Sequence, residues 1–382
     1  MKEVSRPGYI AAAYLLRVFA VGLVACFHIW QQSWLDPGFR VLGVWIDLQR
    51  LIRRGYMGVD LMLLLSGFLL YLPVARPERP MPDTKEFYLK RLRRILPSYL
   101  CAILIALLFA LHYGREPGST SLGLDLLAHL TFTHTFFTRT YLWSSLNVAL
   151  WTLAVEMQFY LLFPLLGRAF RARPWLTWAC MTALAVLSRL AITPLEDVSV
   201  LFNQLPCMLD TYAFGMLAAH LLASREGARR HWLYGAGSLL ALAGILWVLW
   251  IQSPADNRDL NQWQMIWRLP LSALGGAFLW CGGQWSEGWS RLFGNRLTRF
   301  CAGISYNFYI WHQYLAVKLK TWRIPPYLTA LPQRDEGIAW RRTYTLLCFA
   351  AAFAAAAVFT YGVEKPAARL GRRREESRRE EA

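Results

Sequence analysis

Along the chain, long apolar blocks alternate with short polar connections, most of them basic. Ten blocks stand out, near residues 10–31, 55–75, 94–113, 146–166, 174–193, 204–223, 232–252, 264–283, 298–319 and 343–363. A helix rising about 1.5 Å per residue needs roughly 20 apolar residues to cross a hydrocarbon core about 30 Å thick. The blocks therefore predict an all-α integral membrane protein, with about ten transmembrane helices bundled around a polar cavity. The block at 146–166 has a vague start and carries Glu156, so a re-entrant segment is the other reading there. The first block follows Ala11–Ala13, a small-residue stretch of the kind seen in secretion signals. It runs on to Trp30 and contains Arg17, so it reads as a retained first span.

The connections set the orientation. Loops holding Arg76, Arg79, Lys85, Lys90, Arg91, Arg93 and Arg94, then Arg168, Arg171 and Arg173, then Arg225, Arg229 and Arg230, then Arg291, Arg296 and Arg299 share one parity. Loops of the other parity are poorer, with Arg115 and Arg139 in 114–145, none in 194–203 and Arg258 in 253–263. Cationic loops stay on the cytoplasmic side, so both ends are expected there. Two loops break the pattern. One holds Arg40, Arg50, Arg53 and Arg54; the other holds Lys320, Arg323, Arg334, Arg341 and Arg342. Residues 1–366 read as one transmembrane domain, and 367–382 as a charged cytoplasmic tail without an apolar face. No internal repeat of fixed period is visible.

Composition agrees: 56% of the 382 residues are hydrophobic and only 17% are charged, against about a quarter in a soluble domain. The net charge of +17 sits in the loops, where topology accounts for it, so no nucleic-acid partner is expected. Seven cysteines lie in or near apolar blocks with no CxxC pair, and His129 and His134 have no third ligand nearby. Neither a disulfide framework nor a metal site is expected.

Chemistry is concentrated in the ionisable residues of the apolar blocks. Arg17 and His28 are eleven positions apart, which leaves them about 20° apart on one helix face and roughly 16 Å apart along the axis. A charge at the bilayer centre costs about 2.5–3.5 kcal/mol on insertion scales. Two ionisable groups on one stripe thus point to a polar cavity. With the amino end inside, His28 lies near the outer face, where a neutral imidazole suits a general base. Arg91 and Arg94, at i, i+3, share a face and can grip one phosphate group. Glu156, Asp60 and Asp210 each need a partner: an arginine, His28, or a purely structural bridge. Ser66-Gly67 marks close helix packing or a break in the second span. Ser305, Tyr309 and His312 fall on one face of the ninth span, with Tyr306 and Trp311 flanking them. His312 is a second acid or base, or a headgroup-level residue without a chemical role.

Together these segments resemble the membrane-bound acyltransferase family 3. The matching stretches are Arg17-x10-His28, Gly58-Val-Asp through Ser66-Gly-Phe68, Lys90-Arg-x-x-Arg-Ile-x-Pro-x-Tyr99, Trp151-x-Leu-x-x-Glu156-x-x-Phe-Tyr160, Ser305-Tyr306 through Trp311-His312, and Glu364-Lys-Pro366. The resemblance covers about residues 9 to 366. It implies a ten-helix core that moves an acyl group, by default acetyl, from cytoplasmic acyl-CoA to a hydroxyl, often that of a glycan or glycolipid. It implies His28 as the base with Arg17 as companion, Arg91 and Arg94 at the donor with Lys90 in place of a more usual arginine, and Glu156 as the family's acidic residue. Thr152 stands where serine is usual. Many relatives carry an appended periplasmic hydrolase-like domain, which is not expected here.

The expected partners are acyl-CoA as donor, a carbohydrate, glycolipid or secreted sugar-containing metabolite as acceptor, and membrane lipid. The expected site is a bacterial inner membrane. Tyr306 or Ser66 are the candidate oxyanion donors. A transporter or flippase of a lipid-linked sugar is the alternative; it would also need spans and buried charges, but not a cytoplasmic phosphate grip. The oligomeric state is not legible.

Overall fold

The computed structural model describes residues 10–76, 78–114, 118–224, 231–251 and 257–370. The loop cations Arg115, Arg225, Arg229 and Arg230, the side chain of Arg258 and the tail 371–382 lie outside the described residues.

Each of the ten apolar blocks forms a long helix: α1 Ala11–Ser33, α2 Gly58–Tyr71, α3 Thr84–Tyr113, α4 Trp151–Ala172, α5 Pro174–Ile192, α6 Leu205–Ser224, α7 His231–Ile251, α8 Asn257–Gln284, α9 Arg296–Thr321 and α10 Gly337–Phe359. Eight are long and apolar enough to cross a membrane, so ten spans is an approximation. The other two, α8 and α9, carry more polar residues, among them Arg268 and His312, which are buried inside the bundle. The block that had a vague start is a continuous helix entered through a turn at Val148–Leu150, with Pro164 inside it. The third helix begins ten residues before its apolar block. Asp83 caps it by accepting from the backbone N–H of Lys85 at 2.9 Å and of Glu86 at 3.1 Å, which satisfies donors that have no intrahelical partner.

The bundle exposes leucine around its perimeter, including Leu104, Leu108, Leu165, Leu187, Leu240 and Leu346. So much exposed aliphatic surface fits lipid rather than water. Inside, α2 is central and packs on α1, α6 and α8. Its crossing with α6 brings two backbones together. A Cβ on Gly67 would sit 2.4 Å from the Tyr212 carbonyl oxygen, and one on Gly215 would sit 2.0 Å from that of Leu64. Close packing, and not a helix break, is therefore the meaning of Ser66-Gly67. Gly215→Val should destabilise the protein by about 1–3 kcal/mol or more, because helix backbone cannot yield as a side chain does. Gly22→Ala, with nothing within 4 Å of its new methyl group, serves as the control. Thermal melting of the detergent-purified variants checks this.

Two connections have structure of their own. Residues 38–47 form a hairpin, β1 Gly38–Val41 against β2 Val44–Asp47, with Arg40 opposite Trp45. Between α3 and α4, short helices at Leu122–Leu130 and Thr138–Leu142 bury His129 and His134 face to face, 4.0 Å apart and nearly parallel. His129 Nδ1 lies 2.8 Å from the Asp125 carbonyl oxygen. Burial, followed by the neighbouring His129 ring, pushes the His134 imidazole down to about 3, so it stays neutral.

Candidate functional site

A cavity of about 110 Å³ lies between α1, α2, α3, α4 and α9. That is room for several water molecules. Arg17 reaches it from α1, Ser66 from α2, and Arg91 and Arg94 from α3. Thr152, Glu156 and Tyr160 come from α4, and Ser305, Tyr306 and Tyr309 from α9.

Helical spacing explains the cationic wall. Arg91 and Arg94 are one turn apart and face the cavity together, as i, i+3 residues do. The Arg91 guanidinium carbon lies 5.5 Å from the Phe87 ring centroid and 5.9 Å from that of Tyr160, which holds it without neutralising it. Among the described residues no hydrogen bond or ion pair engages the side chains of Arg17, Arg91 or Arg94. Lys90 departs from its expected role. One position off that face, it pairs with Glu86 at 2.7 Å on the exposed side of α3 and does not line the cavity.

Glu156 is the carboxylate of the cavity, and its partners are hydroxyls. Ser66 Oγ and Tyr160 OH both donate to Glu156 Oε1. This commits the Ser66 proton, and Tyr306 OH is likewise committed to the Ile95 carbonyl at 2.9 Å. Neither of the two expected oxyanion donors has a free proton. Ser305 Oγ donates to the Ala302 carbonyl at 2.8 Å. The hydroxyls of Thr152 and Tyr309 differ: both side chains are buried, line the cavity and approach each other without closing a hydrogen bond. Sequence reading noted Thr152 only as a replacement for serine and Tyr309 only as part of a stripe.

The Arg17–His28 stripe is divided by the structure. Arg17 lines the cavity; His28 does not. It stands farther along α1 and meets His312, with His28 Nδ1 2.8 Å from His312 Nε2. His312 Nδ1 in turn lies 2.6 Å from the Tyr309 carbonyl oxygen. These contacts set the tautomers. A carbonyl only accepts, so His312 Nδ1 carries the hydrogen. With both rings neutral, His312 Nε2 accepts from His28 Nδ1–H, and His28 Nε2 keeps its lone pair. Tyr309 joins the two parts of the site: its ring borders the cavity and its carbonyl anchors the imidazole pair.

Asp60 is a structural bridge. Its carboxylate accepts from Arg268 Nε at 2.8 Å and Gln264 Nε2 at 3.4 Å, away from the cavity. Asp210 is the same case, paired with Arg189 at 2.6 and 2.9 Å. Arg189 and Arg268 also share the Cys207 carbonyl as acceptor, at 2.7 and 3.4 Å. Glu364 was visible in sequence only as the close of the last span. It sits in a π-helical turn, Thr360–Glu364, accepts from Asn307 Nδ2 at 2.8 Å, and lies within the electrostatic reach of Arg94 and Arg17.

The model of acyltransferase family 3, described as an acyltransferase domain, matches residues 11–361, almost the whole bundle and every residue of the cavity. The chain belongs to this family. Its membership and its apolar helices make it an integral membrane acyltransferase. It is 25% identical to the ORF330 protein of Acidianus two-tailed virus over 65% of this chain and 67% of that protein. It is 29% identical to the O-acetyltransferase OatA of Staphylococcus aureus over 43% of this chain, and 25% identical to the peptidoglycan O-acetyltransferase OatA of Listeria monocytogenes over 58%. These matches span 26% and 35% of the two OatA proteins. No solved structure matches the chain.

Proposed function

We propose that the protein transfers an acetyl group from acetyl-CoA, entering from the cytoplasm, to a hydroxyl of a cell-surface glycan, glycolipid or secreted sugar-containing metabolite. The carrying observation is one cavity into which Arg17, Arg91 and Arg94 converge, three cations around the single carboxylate of Glu156 and none of them held in a hydrogen bond or ion pair among the described residues, joined through Tyr309 to the His28–His312 pair. Unpaired guanidinium groups facing a cavity call for an anion, and the phosphates of coenzyme A supply it at the α3 end. Pantetheine then extends along the cavity toward Tyr309. The names of the OatA relatives support O-acetylation as the reaction.

In the proposed step, His28 Nε2 takes the proton of the acceptor hydroxyl as its oxygen attacks the thioester carbonyl. The C–O bond forms, the C–S bond breaks, and coenzyme A leaves as a thiolate that recovers the proton. His312 holds the His28 tautomer, and the free hydroxyls of Thr152 and Tyr309 are placed to donate to the developing oxyanion. Residues 1–366 form the catalytic domain. Both chain ends face the cytoplasm, and a bacterial inner membrane is the proposed location.

A thermal-shift measurement on purified protein tests the donor. A ligand at 100 times its Kd stabilises the folded state by about 2.7 kcal/mol, so saturating acetyl-CoA should raise the melting temperature by several degrees. No shift with acetyl-CoA, and a shift with a lipid-linked sugar alone, would favour the transporter.

A further inference from the structure

The two loops that broke the charge pattern meet at one place. Lys320 Nζ donates to the Gln32 carbonyl at 3.0 Å, and Arg341 Nη1 to the Trp34 carbonyl at 3.4 Å. The Arg53 guanidinium carbon lies 4.9 Å from the Trp30 ring centroid. Residues 31–54 and 318–342 therefore build one rim at the end of α1, a turn or so beyond His28. They contain ten Lys and Arg residues against four Asp and Glu. The three other loops of the same parity in sequence, 114–147, 193–204 and 252–263, contain three Arg residues against six Asp and Glu. Arg40, Arg50, Arg323 and Arg342 on the rim are exposed, and none has a carboxylate partner among the described residues. Exposed Trp34 and Trp45 stand among them.

We infer that this rim is the acceptor-docking surface and that the acceptor is an anionic glycan, carrying carboxylate or phosphate groups. The inference rests on the acyl-transfer reading above and names its acceptor class. Translocated loops rarely hold so many cations, because Lys and Arg favour the cytoplasmic side. A patch kept there against that bias answers a need at that face. Charge complementarity supplies the partner: unpaired guanidinium groups select anions and steer them to the base. The flat faces of Trp34 and Trp45 suit the C–H faces of sugar rings. Anionic lipid headgroups would call for cations around the whole perimeter, whereas these are confined to two loops beside His28.

The test uses full-length protein in nanodiscs of phosphatidylcholine, with hexagalacturonate as the anionic probe and maltohexaose as the neutral one. Hexagalacturonate should bind, with a Kd that rises about tenfold from low to physiological salt because the exposed charges are screened. Maltohexaose should not bind at the same concentration. In Arg50→Glu/Arg323→Glu/Arg342→Glu the hexagalacturonate Kd should rise at least about tenfold. If that protein does not melt as a folded species, the Arg→Gln triple replaces it, with a smaller rise in the same direction. Equal binding of the two sugars, or an unchanged Kd in the variant, overturns the proposal. So does loss of hexagalacturonate binding when phosphatidylglycerol is added to the disc, which would assign the rim to headgroups. Stabilisation of the wild-type protein by acetyl-CoA in the same discs reads the donor separately, so failure of the rim and failure of acyl transfer are told apart.

Discussion

His28→Ala lowers acetyl transfer by about 10²–10⁴-fold, the contribution of a positioned general base, while the protein still melts as a folded membrane protein and still binds acetyl-CoA. The reason lies in the hydrogen-bond chain. The Tyr309 carbonyl fixes the His312 proton at Nδ1, and His312 Nε2 then fixes the His28 proton at Nδ1. One basic nitrogen remains, His28 Nε2, and among the described residues no other imidazole is held this way near the cavity. His312→Ala removes the acceptor that sets this tautomer, so it should cost less than loss of His28 and should shift the pH profile of the remaining activity. Radiolabel transfer from acetyl-CoA with purified variants measures both. Wild-type turnover in His28→Ala removes the base assignment.

The second large effect concerns the donor. Arg91→Ala combined with Arg94→Ala should raise the KM for acetyl-CoA by at least about 100-fold, since two charge-assisted hydrogen bonds of about 1.5–3 kcal/mol each are lost. The turnover number at saturation should change only a few-fold, because phosphates far from the thioester are held equally in ground and transition states. Lys90→Ala should leave KM unchanged, as Lys90 is spent on Glu86 outside the cavity. An unaltered KM in the double variant would take the phosphate grip away from α3.

What sequence could reach was set by distance along the chain. The helices were legible from apolar block length, and the Arg91–Arg94 wall from i, i+3 spacing, because both depend on neighbours a turn apart. Tyr160, which meets Glu156 across i, i+4, lay within the same reach but was not among the partners considered for that carboxylate. Contacts between helices were not legible. His28 finds His312 across 284 positions, and Asp60 finds Arg268 across 208. A buried aspartate in a sequence therefore left site and bridge both open, and only the partner helix decides between them. Periodicity also put Arg17 and His28 on one face but said nothing about what fills the space between them. The oxyanion candidates failed for a related reason: a hydroxyl is available only if no carbonyl or carboxylate has taken its proton, and Ile95 and Glu156 come from other helices.

The glycine contact between α2 and α6 bears on how material moves through the protein. Proteins that carry cargo across a bilayer rock one half against the other and expose a central site to each side in turn. Two helices seated main chain on main chain, with no side-chain cushion between Gly67 and Tyr212 or between Gly215 and Leu64, have no room to slide. Ser66 rides on that immobile joint and keeps Glu156 where it is. In the proposed reaction, that fixed joint holds one wall of the cavity still while the thioester end of the donor enters beside it.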